Sequence, residues 1–230
     1  MQSEQRPSAV EESLRALCME IAGRSPVAAI CECGEGVYSA RSTSRSVLVM
    51  IDEYADGLRY HIRRVKTHPV TVLAADKSLV KLDAQKGAMG EFIVERLLTP
   101  YRPLLNEQLL SSIEEDTKER IIREELLELV LEYGEMAREL SIQEEYLMLA
   151  RIRKRARVFL PAARVCALLL EPSVRDANLR RMAPGYERAI GRLVDSNILR
   201  KEESAYALDD SFLDHALKRK SAARVINIMT

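Results

Sequence analysis

The chain has 230 residues, of which 47% are hydrophobic and 30% are charged, and its formal net charge at pH 7 is zero. A chain of this size and composition buries a substantial core and holds one large domain or two to three small ones. Its first residues are polar. No apolar stretch approaches the ~20 residues that a membrane-spanning helix needs. We therefore expect a cytoplasmic protein with neither a membrane span nor a secretory signal.

The cysteines occur at positions 18, 31, 33 and 166, without a Cys-x-x-Cys spacing. Each lies in an apolar segment, which is typical of reduced core residues rather than of zinc ligands. We therefore predict no metal site and no cofactor.

Charge is unevenly distributed along the chain. Residues 106–150 carry 13 acids and 4 bases, whereas residues 151–230 carry 17 bases and 9 acids. The first 105 residues, with 14 bases and 13 acids, are nearly neutral. This asymmetry between segments is more informative about partners than the balanced total.

The first hundred residues predict a mixed α/β domain. Leu14 and Cys18 recur at helical spacing, and Gly23 provides a stop signal just beyond them. The apolar run Val47–Ile51 is rich in β-branched residues and predicts a central strand. In chain order, the predicted elements are a helix over 9–22, a strand over 27–31, a glycine turn at 34–36, strands over 47–51 and 58–64, a break at His68-Pro69, a strand over 70–74, a short helix capped by Asp76, and a helix over 85–98.

Helical patterns replace the strand signals beyond residue 105. Residues 107–139 predict one long acidic helix that Gly134 kinks. Ser141 and Glu144 match a capping box, which predicts a new helix continuing to Phe159. The acidic surface is interpreted as a solvated helix face, with a docking face for a basic partner as the alternative.

The C-terminal segment predicts helices over 161–170 and 173–182, a turn at 183–185, a further helix and a small two-stranded wing. This order is typical of a winged-helix domain. The predicted fold is therefore α+β, with a small mixed-sheet domain at 9–105, a long helical segment at 106–159 and a winged-helix-like domain at 160–220.

Two short motifs flank the first two predicted strands. A turn, Cys33-Gly34-Glu35, follows the first strand, and the triplet Ser44-Arg45-Ser46 enters the next. This order resembles the core of the nucleotidyltransferase superfamily of the polymerase β type. In that family a glycine-serine turn holds phosphates, and an acid-x-acid pair converges on Mg²⁺ because alternate strand residues face the same side. The chain also resembles an archaeal group in which such a domain precedes a helical segment and a winged helix.

The resemblance implies a degenerate nucleotide site formed by Gly34, Glu35, Ser44 and Ser46. Both acids of the family pair are serine here, and Glu35 replaces the turn serine. A third acid, expected within Val70–Val72, is absent. Neutral hydroxyls cannot offset the charge of two divalent cations and a triphosphate, so we expect no catalytic residues and no transfer activity.

Two other interpretations of these residues remain open. In the first, Ser44 and Ser46 are a turn edge that enters a strand, with Arg45 exposed. In the second, Asp52 and Glu53, immediately after the strand, are displaced metal ligands of an active nucleotidyltransferase.

Seven bases are candidates for nucleic-acid contacts. Five of them follow one another closely in a helix whose apolar residues Leu149, Ile152 and Phe159 gather on the other side, an arrangement suited to phosphates. The alternative is that these bases form ion pairs with the preceding acidic helix. The other two lie on the last helix before the wing. The seven residues are Arg151, Arg153, Lys154, Arg155, Arg157, Arg188 and Arg192.

The main functional hypothesis is a non-catalytic nucleotidyltransferase-like protein that binds nucleic acid, DNA more readily than RNA, or regulates a nucleic-acid process. The alternative is a structural or adaptor protein that docks a protein partner, or forms a homodimer, through its acidic helices and winged helix. No membrane partner is expected.

Overall fold

The computed structural model describes residues 8–39 and 44–218. These residues form two compact units. The first contains the described residues of Met1–Thr117 and Arg164–Met182, and the second those of Lys118–Ala163 and Ala183–Thr230. The segment Arg164–Met182 thus belongs to the same unit as the N-terminal part of the chain. The predicted domain boundaries, 9–105, 106–159 and 160–220, stay predictions.

A five-stranded mixed sheet forms the centre of the first unit. The strand order is β3-β4-β2-β1-β5, in which β2 and β4 are parallel and the other neighbours are antiparallel. The α+β class and the mixed sheet are therefore confirmed. The strands are β1 (Val27–Cys33), β2 (Arg45–Ile51), β3 (Leu58–Val65), β4 (His68–Asp76) and β5 (Arg102–Leu105).

The helices account for most of the remaining described chain. Residues 210–218 form a further helix at the end of the described chain. The labelled helices are α1 (Ala9–Ala22), α2 (Glu35–Tyr38), α3 (Lys77–Lys86), α4 (Glu107–Tyr133), α5 (Glu144–Val158), α6 (Leu160–Leu169) and α7 (Arg175–Asp195).

The central strand β2 is apolar on both faces because both faces are covered. Val47, Val49 and Ile51 pack in a core with residues of α1, including Leu14. The alternate residues, such as Leu48, pack in a second core with residues of α3, of the segment after it and of the start of α4. The continuous apolar run predicted as a buried strand is therefore explained by burial on two sides.

Local sequence signals set the ends of α1 and α3. Ser8 and Glu11 form a reciprocal capping box at the start of α1, and Gly23, with φ of 63°, ends that helix. The Asp76 side chain accepts a hydrogen bond from the Ser78 amide and caps α3, as predicted. The predicted helix over 9–22 is confirmed at both ends.

The predicted helix over 85–98 is wrong because Asp83 organises this segment differently. The Asp83 carboxylate is completely buried and accepts hydrogen bonds from the backbone amides of Met89, Glu91, Ile93 and Val94, at 2.9–3.3 Å. These bonds hold a series of turns and a 3-10 helix, Val94–Leu97, in place of an α-helix. The strand β5 that follows was not predicted, because it contains Pro103 at the edge of the sheet.

The second unit departs from the predicted helix boundaries at two places. The long acidic helix ends at Tyr133, because Gly134 adopts a φ of 61° and a 3-10 helix follows. The capping box predicted at Ser141 is wrong, since α5 begins at Glu144 without a side-chain cap. Instead, Ile142 forms a single β-bridge with Tyr206.

The turn predicted at 183–185 is also wrong, because α7 continues through Pro184. Buried residues keep helical spacing on both sides of the proline, at Met182, Tyr186 and Ala189. Burial of this stripe outweighs the cost of an interior proline, about 3 kcal/mol. The two predicted strands near the C-terminus are confirmed as an antiparallel pair, β6 (Leu199–Lys201) and β7 (Tyr206–Leu208), whereas the winged-helix domain stays a prediction.

In the part of the chain that the structure describes, no helix combines the length and apolarity that crossing a bilayer requires.

We predict that Asp83→Ala lowers the free energy of unfolding by about 3–5 kcal/mol, because four amide donors lose their buried acceptor. Urea denaturation followed by circular dichroism measures this change. Asp56→Ala, at an exposed position in the same unit, is the control and is expected to change stability far less, because water screens its ion pair with Arg59. Equal effects of the two substitutions would show that Asp83 does not organise the segment.

Candidate functional site

Three short polar or polarisable side chains are aligned across the sheet where β1 ends. Cys33 of β1 is opposite Ser46 of β2, and Ser46 is opposite Thr71 of β4. Because alternate strand residues share a face, all three lie on the face that also carries Leu48. At the positions where the resemblance expects carboxylates, the structure therefore brings hydroxyl groups together.

The glycines of the turn after β1 permit close approach to β2. Gly34 has a φ of 77°, and a Cβ atom built on it would lie 3.4 Å from the Ser46 hydroxyl oxygen. A Cβ atom on Gly36 would lie only 2.7 Å from the Ser44 carbonyl oxygen, which is closer than packing allows. The turn and the serine triplet, which are separated in sequence, are thus neighbours in the fold.

Arg45, the centre of the triplet, points to the opposite face of the sheet. Its guanidinium donates to the Glu32 carboxylate at 2.6 Å, and only 27% of its side chain is exposed. Glu32 is 1% exposed and also pairs with Arg102, which in turn contacts Glu11 of α1 at 2.9 Å. The interpretation of Arg45 as an exposed turn residue is therefore wrong, because a buried carboxylate requires a cationic partner.

Glu35, at the family's turn serine, forms a two-pronged ion pair with Arg164. The two guanidinium nitrogens lie 2.7 and 3.1 Å from its carboxylate oxygens. The pKa of Arg164 is raised, first by this hydrogen bond and then by the charge of Glu35. The Glu35 carboxylate, paired with Arg164, thus lies where the resemblance expects a bound phosphate.

Other residues of the segment Arg164–Met182 hold the turn in place. Asn178, which is buried, donates hydrogen bonds to the carbonyl groups of Tyr38 and Leu169, at 3.1 and 3.0 Å. Arg181 donates to the Val37 carbonyl at 2.8 Å. Burial raises the pKa of the Tyr38 hydroxyl well above its ordinary value, and the charge of Glu35 adds to that shift. Two carbonyl groups of α2, those of Val37 and Tyr38, therefore accept hydrogen bonds from side chains of this segment.

Sequence reasoning missed this contribution of Arg164–Met182. No local pattern connects Asn178 or Arg181 to a turn that lies more than a hundred positions earlier. The single available signal is Asn178 itself, an amide on the apolar side of a helix, four residues before the buried Met182. Buried amides require hydrogen-bond partners, and here the partners are distant carbonyl groups.

Cys31 and Cys33 are alternate residues at the end of β1, just before the turn, and both are completely buried. The pKa of the Cys33 thiol is lowered chiefly because the Cys31 thiol donates a hydrogen bond to it. Burial raises this pKa, and the positive charge of Arg96 lowers it. The same hydrogen bond and burial raise the pKa of Cys31. All four cysteines are free thiols.

The proposed displaced metal ligands follow β2, whereas Ser46 lies near its start. Asp52 forms an ion pair with Lys77, and Glu53 adopts a φ of 54° in the turn that follows. Among residues 8–39 and 44–218, no group of three metal-ligating side chains is placed to hold an ion.

Several of the candidate nucleic-acid residues form ion pairs inside the second unit. Arg151 contacts Glu124 and, at 3.1 Å, Glu125 of α4. Lys154 contacts Glu128 and, at 3.7 Å, Glu125. For these two bases, the structure has the ion pairs with the acidic helix that the sequence left as the alternative.

The remaining candidates differ in exposure and pairing. Arg153 pairs with Glu145 at 3.4 Å, and Arg192 of α7 pairs with Glu119 at 2.8 Å. Arg157 and Arg188 are exposed, and Arg155 is half-buried. A groove of about 270 Å³ between α4 and α5 has equal numbers of acids and bases in its lining, namely Glu125, Glu128, Glu132, Arg153, Lys154 and Arg157.

Comparison with known protein families and with curated proteins finds no match. Among solved structures, the chain is similar to a nucleotidyltransferase-like protein from Exiguobacterium sibiricum 255-15, with a TM-score of 0.36 and 13% sequence identity. The similarity covers 91% of this chain and 75% of that protein.

We predict that Glu32→Gln lowers the free energy of unfolding by about 1–3 kcal/mol, because it removes the buried carboxylate that Arg45 and Arg102 share, while Arg102 keeps its contact with Glu11. Glu35→Gln is the matched control. Its partner Arg164 is 71% exposed, so solvent screens this ion pair and the expected loss is smaller than that of Glu32→Gln. Urea denaturation of both variants measures the difference, and a larger loss for Glu35→Gln would contradict this assignment.

Proposed function

We propose that this chain is a non-catalytic protein of the nucleotidyltransferase-like type, which acts by binding a partner. The alignment of Ser46 with Thr71, next to Gly34, supports the proposal. These are the positions where the resemblance requires carboxylates, and all described side chains there are neutral. Hydroxyl groups in this arrangement provide no charge to hold paired divalent cations.

The ion pair between Glu35 and Arg164 also supports loss of catalysis. A phosphate-binding turn needs backbone amides that face an open, positively polarised space. Here the turn carries an anion, and residues of Arg164–Met182 satisfy its carbonyl groups. This turn therefore resembles a structural junction more closely than an anion site.

We propose nucleic acid as the partner, with DNA favoured over RNA. The support is the excess of bases in residues 151–230 and an arrangement of the second unit that fits a winged helix. The hairpin β6–β7 gains a third strand position through the bridge between Ile142 and Tyr206. Helix α5 follows Ile142 directly, and the end of α7 leads into β6, as in the order of winged-helix domains.

An adaptor role is the second candidate, and the ion pairs of α5 favour it. Arg151 and Lys154 are engaged by carboxylates of α4, so part of the basic cluster stabilises the unit itself. Such pairs reduce the charge that remains available to a polyanion. A protein partner or a second copy would then occupy the acidic helices.

We expect no Mg²⁺- or Mn²⁺-dependent transfer of a labelled nucleotide by the purified protein, because the site has no carboxylate pair. The measurement is incubation with each labelled nucleotide followed by separation of products. Ser44→Asp combined with Ser46→Asp is the matched control, which is expected to acquire divalent-metal binding that calorimetry detects. Transfer by the unmodified protein that Asp52→Asn abolishes would contradict the proposal.

We expect the protein to retard DNA in a gel mobility assay at low salt, and to release it as salt increases, because phosphate contacts displace counterions. RNA is tested in parallel and is expected to bind less tightly. Light scattering on the same sample reports the oligomeric state. Absence of any shift at low salt, together with a stable dimer, would instead favour the adaptor role.

A further inference from the structure

The strand β3 forms an edge of the five-stranded sheet and is unusually basic. Residues 58–68, which include β3 and the turn to β4, contain three arginines, one lysine and no acidic residue. Five of the eight residues of β3 are exposed. The sequence pattern predicts only a half-exposed strand here and assigns it no partner.

Most of these cations lack carboxylate partners of the kind that Arg151 and Lys154 have on α5. Arg59 pairs with Asp56 at 3.0 Å. Arg63, Arg64 and Lys66 have no carboxylate within ion-pair distance in the described parts of the chain, 8–39 and 44–218. The Arg63 guanidinium donates instead to the adjacent Ile62 carbonyl, at 3.0 Å. These three cations therefore keep their full attraction for an external anion.

His61 lies with Arg59 and Arg63 on the other face of β3. The pKa of its imidazole is lowered by burial first and then by the positive charges of Arg59 and Arg63. The nearest opposing charge, Asp56, only partly offsets them.

An exposed group of apolar side chains, here called the ledge, is formed by Tyr60, Ile62 and Phe92. The rings of Tyr60 and Phe92 meet edge to face with centroids 5.9 Å apart, and they are 47% and 37% exposed. The Arg96 guanidinium lies within 5.8 Å of both ring centroids and donates to the Tyr60 hydroxyl and the Phe92 carbonyl. Ile62, on the same face of β3 as Tyr60, is 76% exposed. The rings are thus held in place while remaining accessible.

We propose that the β3 surface, defined as Tyr60, Ile62, Arg64, Lys66 and Phe92, binds single-stranded nucleic acid. Bases stack on the ledge of Tyr60, Ile62 and Phe92, and the cations contact the phosphates that follow the strand edge. This inference rests on the proposed nucleic-acid partner and gives it a class and a location that the sequence did not indicate.

Charge and shape favour single-stranded nucleic acid over three other possible occupants of the β3 surface. Duplex DNA does not expose the faces of its bases, so it would leave the ledge unused. A second copy that paired β3 with β3 would place Arg59, Arg63 and Arg64 against like charges, which destabilises strand pairing. An acidic peptide would satisfy the cations but provides no stacking partner for Tyr60 and Phe92.

Fluorescence anisotropy with labelled oligothymidine and oligouridine, at several salt concentrations, tests the proposal. Arg64→Glu combined with Lys66→Glu is expected to weaken binding about tenfold or more, and to reduce the salt slope by about 1 to 1.5, because two phosphate contacts are lost. Lys81→Glu combined with Lys86→Glu, at two exposed positions of α3, is the matched charge control and is expected to leave binding within about twofold.

Arg153→Glu combined with Arg157→Glu, called the α5 variant, tests whether the basic cluster of α5 is the binding surface instead.

Two substitutions at Tyr60 test the stacking. Tyr60→Ser is expected to weaken single-strand binding by about five- to a hundredfold without changing the salt slope, whereas Tyr60→Phe retains binding because the ring remains. Circular dichroism of each variant confirms folding. Arg64→Gln combined with Lys66→Gln replaces the charge reversal if the latter does not fold, with a smaller loss in the same direction.

The outcomes separate this inference from the proposed function. Binding that is lost in the α5 variant and indifferent to the β3 variants overturns the inference alone. Equal binding of duplex, with no effect of Tyr60→Ser, also overturns it, as does tighter β3-dependent binding of poly-glutamate than of either oligonucleotide. If the unmodified protein binds no oligonucleotide of any kind at low salt, the inference fails together with the proposed nucleic-acid partner.

Discussion

The buried carboxylate of Glu32 holds together the part of the sheet on which the account of the site depends. It lies between Arg45 and Arg102, so it connects the entry of β2 to both β1 and β5. A buried charge is tolerated only with such partners. Since Arg45 is directed to this face, its neighbour Ser46 is directed to the other, next to Gly34. The chemistry of the candidate site follows from that alternation.

Two regions of the chain, α5 and β3, are rich in basic residues, but they differ in how many of these residues form ion pairs within the protein. On α5, carboxylates of α4 engage Arg151 and Lys154, and the cations help to hold the helices of the second unit together. On β3, Arg63 and Arg64 have no such partners in the described chain. A count of bases along the sequence therefore makes α5 the first candidate for a nucleic-acid surface. The ion pairs that each base forms make β3 the better candidate. Exposed cations are informative about partners only after internal ion pairs are removed.

Features that depend on local sequence could be predicted, and features that depend on distant contacts could not. The helix at 9–22, the central strand at 47–51 and the cap at Asp76 follow from periodicity, branching and capping, all of which act within a few residues. The loop held by Asp83 and the continuous helix through Pro184 depend on buried groups that override local propensity. In the site, the proximity of Gly34 to Ser46 followed from the resemblance. The roles of Arg164 and Asn178 did not, because no spacing rule connects them to the turn.

The absence of charge at the aligned hydroxyl groups is the central claim, and anomalous scattering tests it most directly. Crystals of the unmodified protein would be soaked with Mn²⁺ and a non-hydrolysable nucleoside triphosphate, and data would be collected at the manganese absorption edge. The account predicts no anomalous peak beside Ser46 and Thr71, and no triphosphate density at the turn that Gly34 begins. A pair of manganese peaks bridging a triphosphate at that position would contradict it.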